Sequence, residues 1–197
     1  MKKHILVVGL AIVASATLSA QNVIWKDDFE GDKGWQTFEY KNKFKAEYTK
    51  DGEFLIRTPE DGVEAFSRCK TNLNPTKNFS ISVDAISKSG LRDESYFGIA
   101  FNCLDKMNYS LFCVEKGFAY YAEYKNGERV RYDFDIIKNT KAKVFHLEIQ
   151  KKGTTAIFLV NDEETMFEEK VEVESSKIGL YVQGKTQVSF DNVEIKQ

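Results

Sequence analysis

Ile178-Gly179-Leu180-Tyr181-Val182, a turn at Gly184-Lys185, and Val188-Ser189-Phe190-Asp191-Asn192-Val193-Glu194-Ile195 close this chain on two short strands. The opening answers in kind. Trp25-Lys26-Asp27-Asp28-Phe29-Glu30-Gly31, with Gly34-Trp35 just behind, also reads as strand followed by turn. Terminal strands this well specified in an all-β chain pair with each other, which shuts two layers into one cooperative unit. Within the last strand, Val188 and Phe190 share one parity and Val193 and Ile195 the other, so a bulge is expected near Asp191-Asn192.

The interior carries the same pattern. Phe79, Ile81, Val83 and Ala85 alternate with Ser80, Ser82, Asp84 and Ile86, and Phe145, Leu147 and Ile149 with Val144, His146, Glu148 and Gln150. Val130, Tyr132 and Phe134 alternate likewise with Arg129, Arg131, Asp133 and Asp135. Period two with one apolar parity marks a strand that has one wet face. Asp51-Gly52, Asn126-Gly127, Lys152-Gly153 and, less strongly, Asn161-Asp162 separate the runs as hairpin turns. Strands are expected near 24–30, 37–49, 53–58, 63–70, 78–87, 94–103 and 107–115, then 118–125, 128–135, 143–151, 154–160, 165–174, 177–183 and 186–196. Pro59 and Pro75 fall between them, and no helix is expected beyond the first twenty residues. So many short strands predict a two-sheet sandwich or a barrel.

Lys2-Lys3, the apolar run Ile5–Ala14 and the small residues Ser15–Ala20 have the composition of a signal peptide cleaved after Ala20. The apolar run falls short of the roughly 20 residues that span a bilayer. Residues 21–197 are therefore expected to form one exported domain without a transmembrane segment, in the periplasm, at the outer membrane or outside the cell. The leader holds two Lys and no acid, so 28 basic residues fall to 26 against 30 acidic ones, a net charge of −4. That balance excludes a nucleic-acid partner. Cys69, Cys103 and Cys113 permit at most one bridge, lack metal-type spacing, and are expected as buried free thiols.

Trp25-x-Asp27-Asp28-Phe29-Glu30-Gly31 with Gly34-Trp35, Gly98-Ile99-Ala100-Phe101, Asn108-Tyr109-Ser110-Leu111, Ile178-Gly179-Leu180-Tyr181 and Phe190-Asp191-Asn192-Val193 occur in an order that resembles the concanavalin A-like lectin/glucanase superfamily. Within it the chain looks most like the laminin-G-like jelly-roll domains of exported bacterial proteins, including the 3-keto-disaccharide hydrolase domain. The resemblance spans nearly the whole mature chain and implies an antiparallel, jelly-roll β-sandwich. Its relatives include carbohydrate binders, glycosidases and adhesion modules, among which fold does not choose.

Candidate chemistry is sparse. His146 is the only histidine of the mature chain and has no nucleophile elbow near it, which argues against a triad. Asp133 and Asp135 share a strand face about 7 Å apart, with Glu123 on the preceding strand as the one plausible addition. The stretch resembles the E-x-D-x-x-E strand of family 16 glucanases, but Lys138 stands where the last acid belongs. The loss of that third carboxylate removes the acid/base, and a salt-bridged wet face of Arg129, Arg131, Asp133 and Asp135 is the competing reading.

Asp27, Asp28 and Glu30 near the start and Asp191 near the end would meet if the terminal strands pair. Four carboxylates suit calcium, and the resemblance implies a structural calcium at a comparable place. Turn and capping duty is the alternative. Aromatics form the third group. Alternation with the larger set packed inward buries Phe118, Tyr120 and Tyr124 and exposes Tyr121, which with Glu123, Arg129, Arg131 and Asp133 would line a sugar-contact face. Trp35, Tyr40 and Tyr96, in or near loops, are further contacts. A glycan or polysaccharide is the expected partner of a non-catalytic module. Glycosidic cleavage by a hydrolase or lyase, and an envelope adhesion module that binds protein, are the alternatives.

Overall fold

The computed structural model describes residues 21–41, 44–87, 90–138 and 140–197. The expected signal peptide lies outside the described residues. In chain order the strands are β1 (Val23–Asp27), β2 (Phe38–Tyr40), β3 (Phe44–Tyr48), β4 (Phe54–Thr58), β5 (Glu64–Lys70), β6 (Phe79–Ser87), β7 (Tyr96–Phe101) and β8 (Tyr109–Glu115). There follow β9 (Phe118–Lys125), β10 (Glu128–Ile136), β11 (Val144–Lys152), β12 (Thr155–Val160), β13 (Glu163–Glu168), β14 (Lys177–Gln183) and β15 (Thr186–Lys196).

They form two antiparallel sheets. One runs β13-β12-β11-β6-β15-β4-β3-β2, with β1 paired to the far half of β15; the other runs β10-β9-β8-β7-β14-β5. The first and last strands do pair, with Trp25 opposite Ile195 and Asp27 opposite Val193. The anticipated bulge is there too: register shifts between Asp191 and Glu194, and Asn192 takes φ 52°. That extra residue turns both Phe190 and Val193 into the core, where each is essentially inaccessible.

Between the layers lie the inward parities. Phe54, Ile81, Phe145, Phe158 and Phe190 come from the larger sheet, and Phe97, Phe101, Phe112 and Leu180 from the smaller. Each buried Phe contributes about 1.5–3 kcal/mol, so this double aromatic layer dominates the stability. Hairpin chemistry sets the register: Asn126 and Gly127 take φ 55° and 80° between β9 and β10, as a primed two-residue turn requires. Asn161-Asp162 (φ 52° and 65°) does the same between β12 and β13. The three cysteines are free and buried.

One expectation is inverted. Tyr121 and Ala119, not Tyr120 and Tyr124, point into the core, and Tyr121 is wholly inaccessible, packed on Phe101 and Phe158. Val130, Tyr132 and Phe134, expected inside, are exposed. The reason lies in β8, whose residues Tyr109–Val114 are buried on both faces. The smaller sheet is apolar on its outer side as well, so counting aromatics cannot reveal which parity faces the partner sheet.

Candidate functional site

A second, smaller apolar cluster covers the outer face of the six-stranded sheet: Ala100, Cys103, Tyr109, Leu111, Cys113 and Tyr181, with Phe66, Tyr96, Tyr120 and Tyr124 packed against it. Its centre is low because its residues are small. Gly98 and Ala100 stand on β7 and Ala122 on β9, with β8 between them, and Gly179 lies beside Ala100 on β14. A Cβ on Gly179 would come within 2.0 Å of the Phe66 ring, and one on Gly98 within 2.1 Å of the Phe112 carbonyl oxygen. Only glycine fits at either point.

Tall rings border this floor. Tyr120 stacks on Tyr132 at 5.5 Å and meets Tyr96 edge-on at 5.5 Å; opposite, Tyr109 and Tyr124 stack at 4.7 Å and 16°. A cavity of about 170 Å³ lies between them, floored by Leu111, Cys113 and Ala122. Arg129, on the bulged start of β10, holds its guanidinium 4.3 Å from the Tyr132 ring centre at the rim. Tyr124 also borders a second depression of about 320 Å³ with polar walls, among them Asn108, Glu123 and Lys170. Together the two fall within the roughly 300–1,000 Å³ of small-ligand sites.

The rings are held by carboxylates at the margins. Tyr120 donates its hydroxyl to Glu115 Oε2 at 2.6 Å, while Glu115 Oε1 accepts the Glu94 N–H at 2.7 Å. The Tyr181 hydroxyl lies within hydrogen-bond reach of Glu64 Oε2 (3.0 Å) and Gln183 Oε1 (2.6 Å). Burial, followed by the charge and hydrogen bond of Glu115, pushes Tyr96 up to about 12. Burial raises Tyr109, Tyr120 and Tyr181 as well, with Glu64 or Glu115 adding to the effect. The Cys113 thiol on the floor is raised by its burial and stays protonated. The groove therefore offers neutral ring faces and phenolic hydroxyls over the whole physiological range.

The residues singled out from sequence scatter over the molecule. Tyr96 and Arg129 line the groove. Tyr121 is a core residue whose hydroxyl bonds Glu123 Oε1 at 2.6 Å. Glu123 in turn receives Arg131, which also binds Glu168 and the Glu169 carbonyl and ties β10 to β13. Asp133 and Asp135 stand opposite Tyr121 and Ala119 on β10, on the parity turned away from the groove. Asp135 Oδ1 accepts the Ile136 N–H. Trp35, in the connection between β1 and β2, is buried against Phe29 and Phe54, and Tyr40 is exposed on β2. Tyr109, Tyr120, Tyr124, Tyr132 and Tyr181 were not recognised as one surface. The available signal was Tyr109, Leu111 and Cys113 sharing a parity on a strand whose other parity is equally apolar.

The four acids considered for calcium do not form a ligand set. Asp27 is inaccessible; its Oδ1 accepts the Phe29 N–H (2.9 Å), its Oδ2 the Trp35 Nε1–H (2.8 Å), and the Lys33 ammonium lies 3.8 Å away. Asp28 Oδ1 caps the Glu30 N–H, and the Glu30 carboxylate packs over Gly52. Asp191 is raised by burial with Asp84, Glu53 and Asp28 adding to it, and Asn192 Nδ2 bridges Asp84 and Asp191. Among the described residues no group of three or more His, Cys, Asp or Glu has metal-holding geometry. Asp84 also meets His146 Nδ1 at 2.7 Å, which accounts for that histidine.

No family model matches the sequence, and no curated protein matches it. Solved structures do resemble the fold. The carbohydrate-binding module CBM66 from Bacillus subtilis aligns with TM-score 0.59 and 17% identity over 84% of this chain and 96% of its own. A Bacillus licheniformis β-glucanase aligns with TM-score 0.63 and 8% identity over 89% and 99%. The xyloglucan-locus protein GH43B of Bacteroides ovatus aligns with TM-score 0.60 and 13% identity over 89% of this chain and 39% of that one. The chain shares with these structures its fold, a two-sheet antiparallel jelly-roll β-sandwich.

Proposed function

We propose that this chain is a non-catalytic carbohydrate-binding domain that seats a saccharide in the tyrosine-bordered groove of the six-stranded sheet. The observation that carries this reading is the groove itself: stacked rings stand on either side of a floor of Leu111, Cys113 and Ala122. Sugars present apolar C–H faces to aromatic rings and hydroxyls to polar neighbours, and this lining supplies both. The likeness to a carbohydrate-binding module agrees with the reading.

What speaks against cleavage is the chemistry of the floor. Glycosidic hydrolysis needs two carboxyl groups flanking the bond, whereas the outward positions of β7 and of β8 up to Cys113 carry Tyr96, Gly98, Ala100, Tyr109, Leu111 and Cys113. Glu64 and Glu115 lie at the margins and hold tyrosine hydroxyls. Export through the amino-terminal leader would place the domain where polysaccharides are met. No helix of the described residues is long and apolar enough to cross a membrane.

Titration calorimetry against a panel of neutral and acidic oligosaccharides tests the proposal. Binding to at least one, weakened about tenfold or more by Tyr120→Ala, is the expected result; tenfold corresponds to about 1.4 kcal/mol, the worth of one lost ring contact. A flat response across the panel, or binding that Tyr120→Ala and Tyr124→Ala both leave intact, would remove the groove from consideration. Reducing sugar released by the wild-type protein would restore the hydrolytic reading.

A further inference from the structure

β10 is the edge strand of the six-stranded sheet, and its groove-side parity is apolar and exposed. Val130, at the bulge, and Tyr132, Phe134 and Ile136, on that parity, are 54%, 41%, 58% and 68% accessible. Edges this long and apolar invite pairing with another strand, and β10 contains neither Pro nor Lys to discourage it. Its one bulge lies between Arg129 and Arg131, so Arg131–Ile136 runs in regular register. The free edge has unused hydrogen-bonding groups. Ile137 N–H returns to the Gly117 carbonyl on the β9 side, and alternation then directs the backbone N–H and C=O of Tyr132 and Phe134 away from β9.

The charges of the strand are self-complementary. Arg129-Val130-Arg131-Tyr132-Asp133-Phe134-Asp135 reads cation, apolar, cation, ring, anion, apolar, anion. Among the described residues Arg129, Asp133 and Asp135 make no salt bridge within the chain. We propose that a second copy of this chain covers this edge and brings a cation to Asp133, the two β10 strands pairing antiparallel about a two-fold axis at Tyr132. That register sets Arg131 against Asp133 twice on one face and Val130 against Phe134 twice on the other. Centring the axis one residue earlier opposes Arg131 to itself, and one residue later Asp133 to itself, and like charges directly opposite are unfavourable.

The product is one continuous twelve-stranded sheet with two grooves on the same side. Tyr132, which borders the groove of its own chain, sits on the seam beside its symmetry mate, so the two sites form one extended surface for a polymeric ligand. An interface of one strand pair is small by the standards of stable dimers, so a concentration-dependent equilibrium is expected.

Sedimentation velocity over a concentration series, without any sugar present, tests this independently of the binding proposal. A monomer–dimer equilibrium is expected, shifted at least tenfold toward monomer by Asp133→Arg and by Phe134→Lys, each checked for native circular dichroism. Register is tested by disulfide trapping: Tyr132→Cys should cross-link under mild oxidation, since facing Cα atoms of a hydrogen-bonded pair lie about 5.5 Å apart, within disulfide reach. Phe134→Cys, two residues off the axis, should not. A monomer up to millimolar concentration overturns the proposal. So does a dimer that ignores both charge and apolar variants, or one that Phe134→Cys traps and Tyr132→Cys does not.

Discussion

Replacing Asp27 by Ala should cost this protein about 3–4 kcal/mol of folding stability. Its carboxylate is wholly inaccessible and accepts two N–H donors, from Phe29 at 2.9 Å and from the Trp35 indole at 2.8 Å. Removal leaves both donors buried and unpaired, at about 1–3 kcal/mol each. The Lys33 ammonium at 3.8 Å adds little, because that side chain is 42% exposed and screened by water. With a urea dependence of about 2 kcal/mol/M, the midpoint should fall by roughly 2 M. Asp27→Asn, which keeps one acceptor, should lose about half as much. The assay is urea unfolding followed by Trp fluorescence, since Trp25 and Trp35 both pack at this corner, 6.2 Å apart. A chelator added to the wild-type protein should leave its midpoint unmoved, because Asp27 is satisfied by N–H groups. A midpoint shift below about 0.5 M for Asp27→Ala, or an equal shift produced by chelator alone, would refute the hydrogen-bond account and point to a metal.

Two further outcomes follow from the packing. Gly179→Ala should destabilise the fold by about 1–3 kcal/mol and displace the Phe66 ring, readable as a lowered melting temperature and altered near-ultraviolet dichroism, because its Cβ would come within 2.0 Å of that ring; an unchanged melt would mean the floor is looser than drawn. The thiols should be silent towards iodoacetamide in the native state and react three to a chain when unfolded, as all three are buried. Burial pushes Cys69 up to about 11 and Cys103 up to about 12 from an ordinary value of 9.0. A raised thiol binds its proton more tightly when folded, so its contribution to stability is complete below about pH 9 and declines as pH climbs through 11 and 12. Stability that stays level across that alkaline window would contradict it.

Much of the architecture was legible because strands and turns are local. Asn126-Gly127 forms its hairpin through the two residues' own backbone preferences, and Phe79-Ser80-Ile81-Ser82-Val83 shows its wet and dry sides within five residues. Even the bulge at Asn192 followed from a parity break readable in Val188–Ile195. The groove was not legible in that way. Tyr121, expected at the surface, lies in the core, and Trp35, although it sits in the loop between β1 and β2 as expected, is buried rather than displayed. Arg131, expected on the sugar face, instead joins Glu123 of β9 to Glu168 of β13.

From its own order of residues, then, the chain dictates most of its strands and which of them join by hairpins. Each of these depends on neighbours a few residues apart or on a repeat of two. Which parity of β9 faces the partner sheet depends on what covers it, and alternation is unchanged when the two faces are exchanged. In a sheet apolar on both sides, only the packing of β11, β12 and β13 beneath it decides that Tyr121 lies within and that Tyr120, Tyr124 and Tyr132 stand over an open floor.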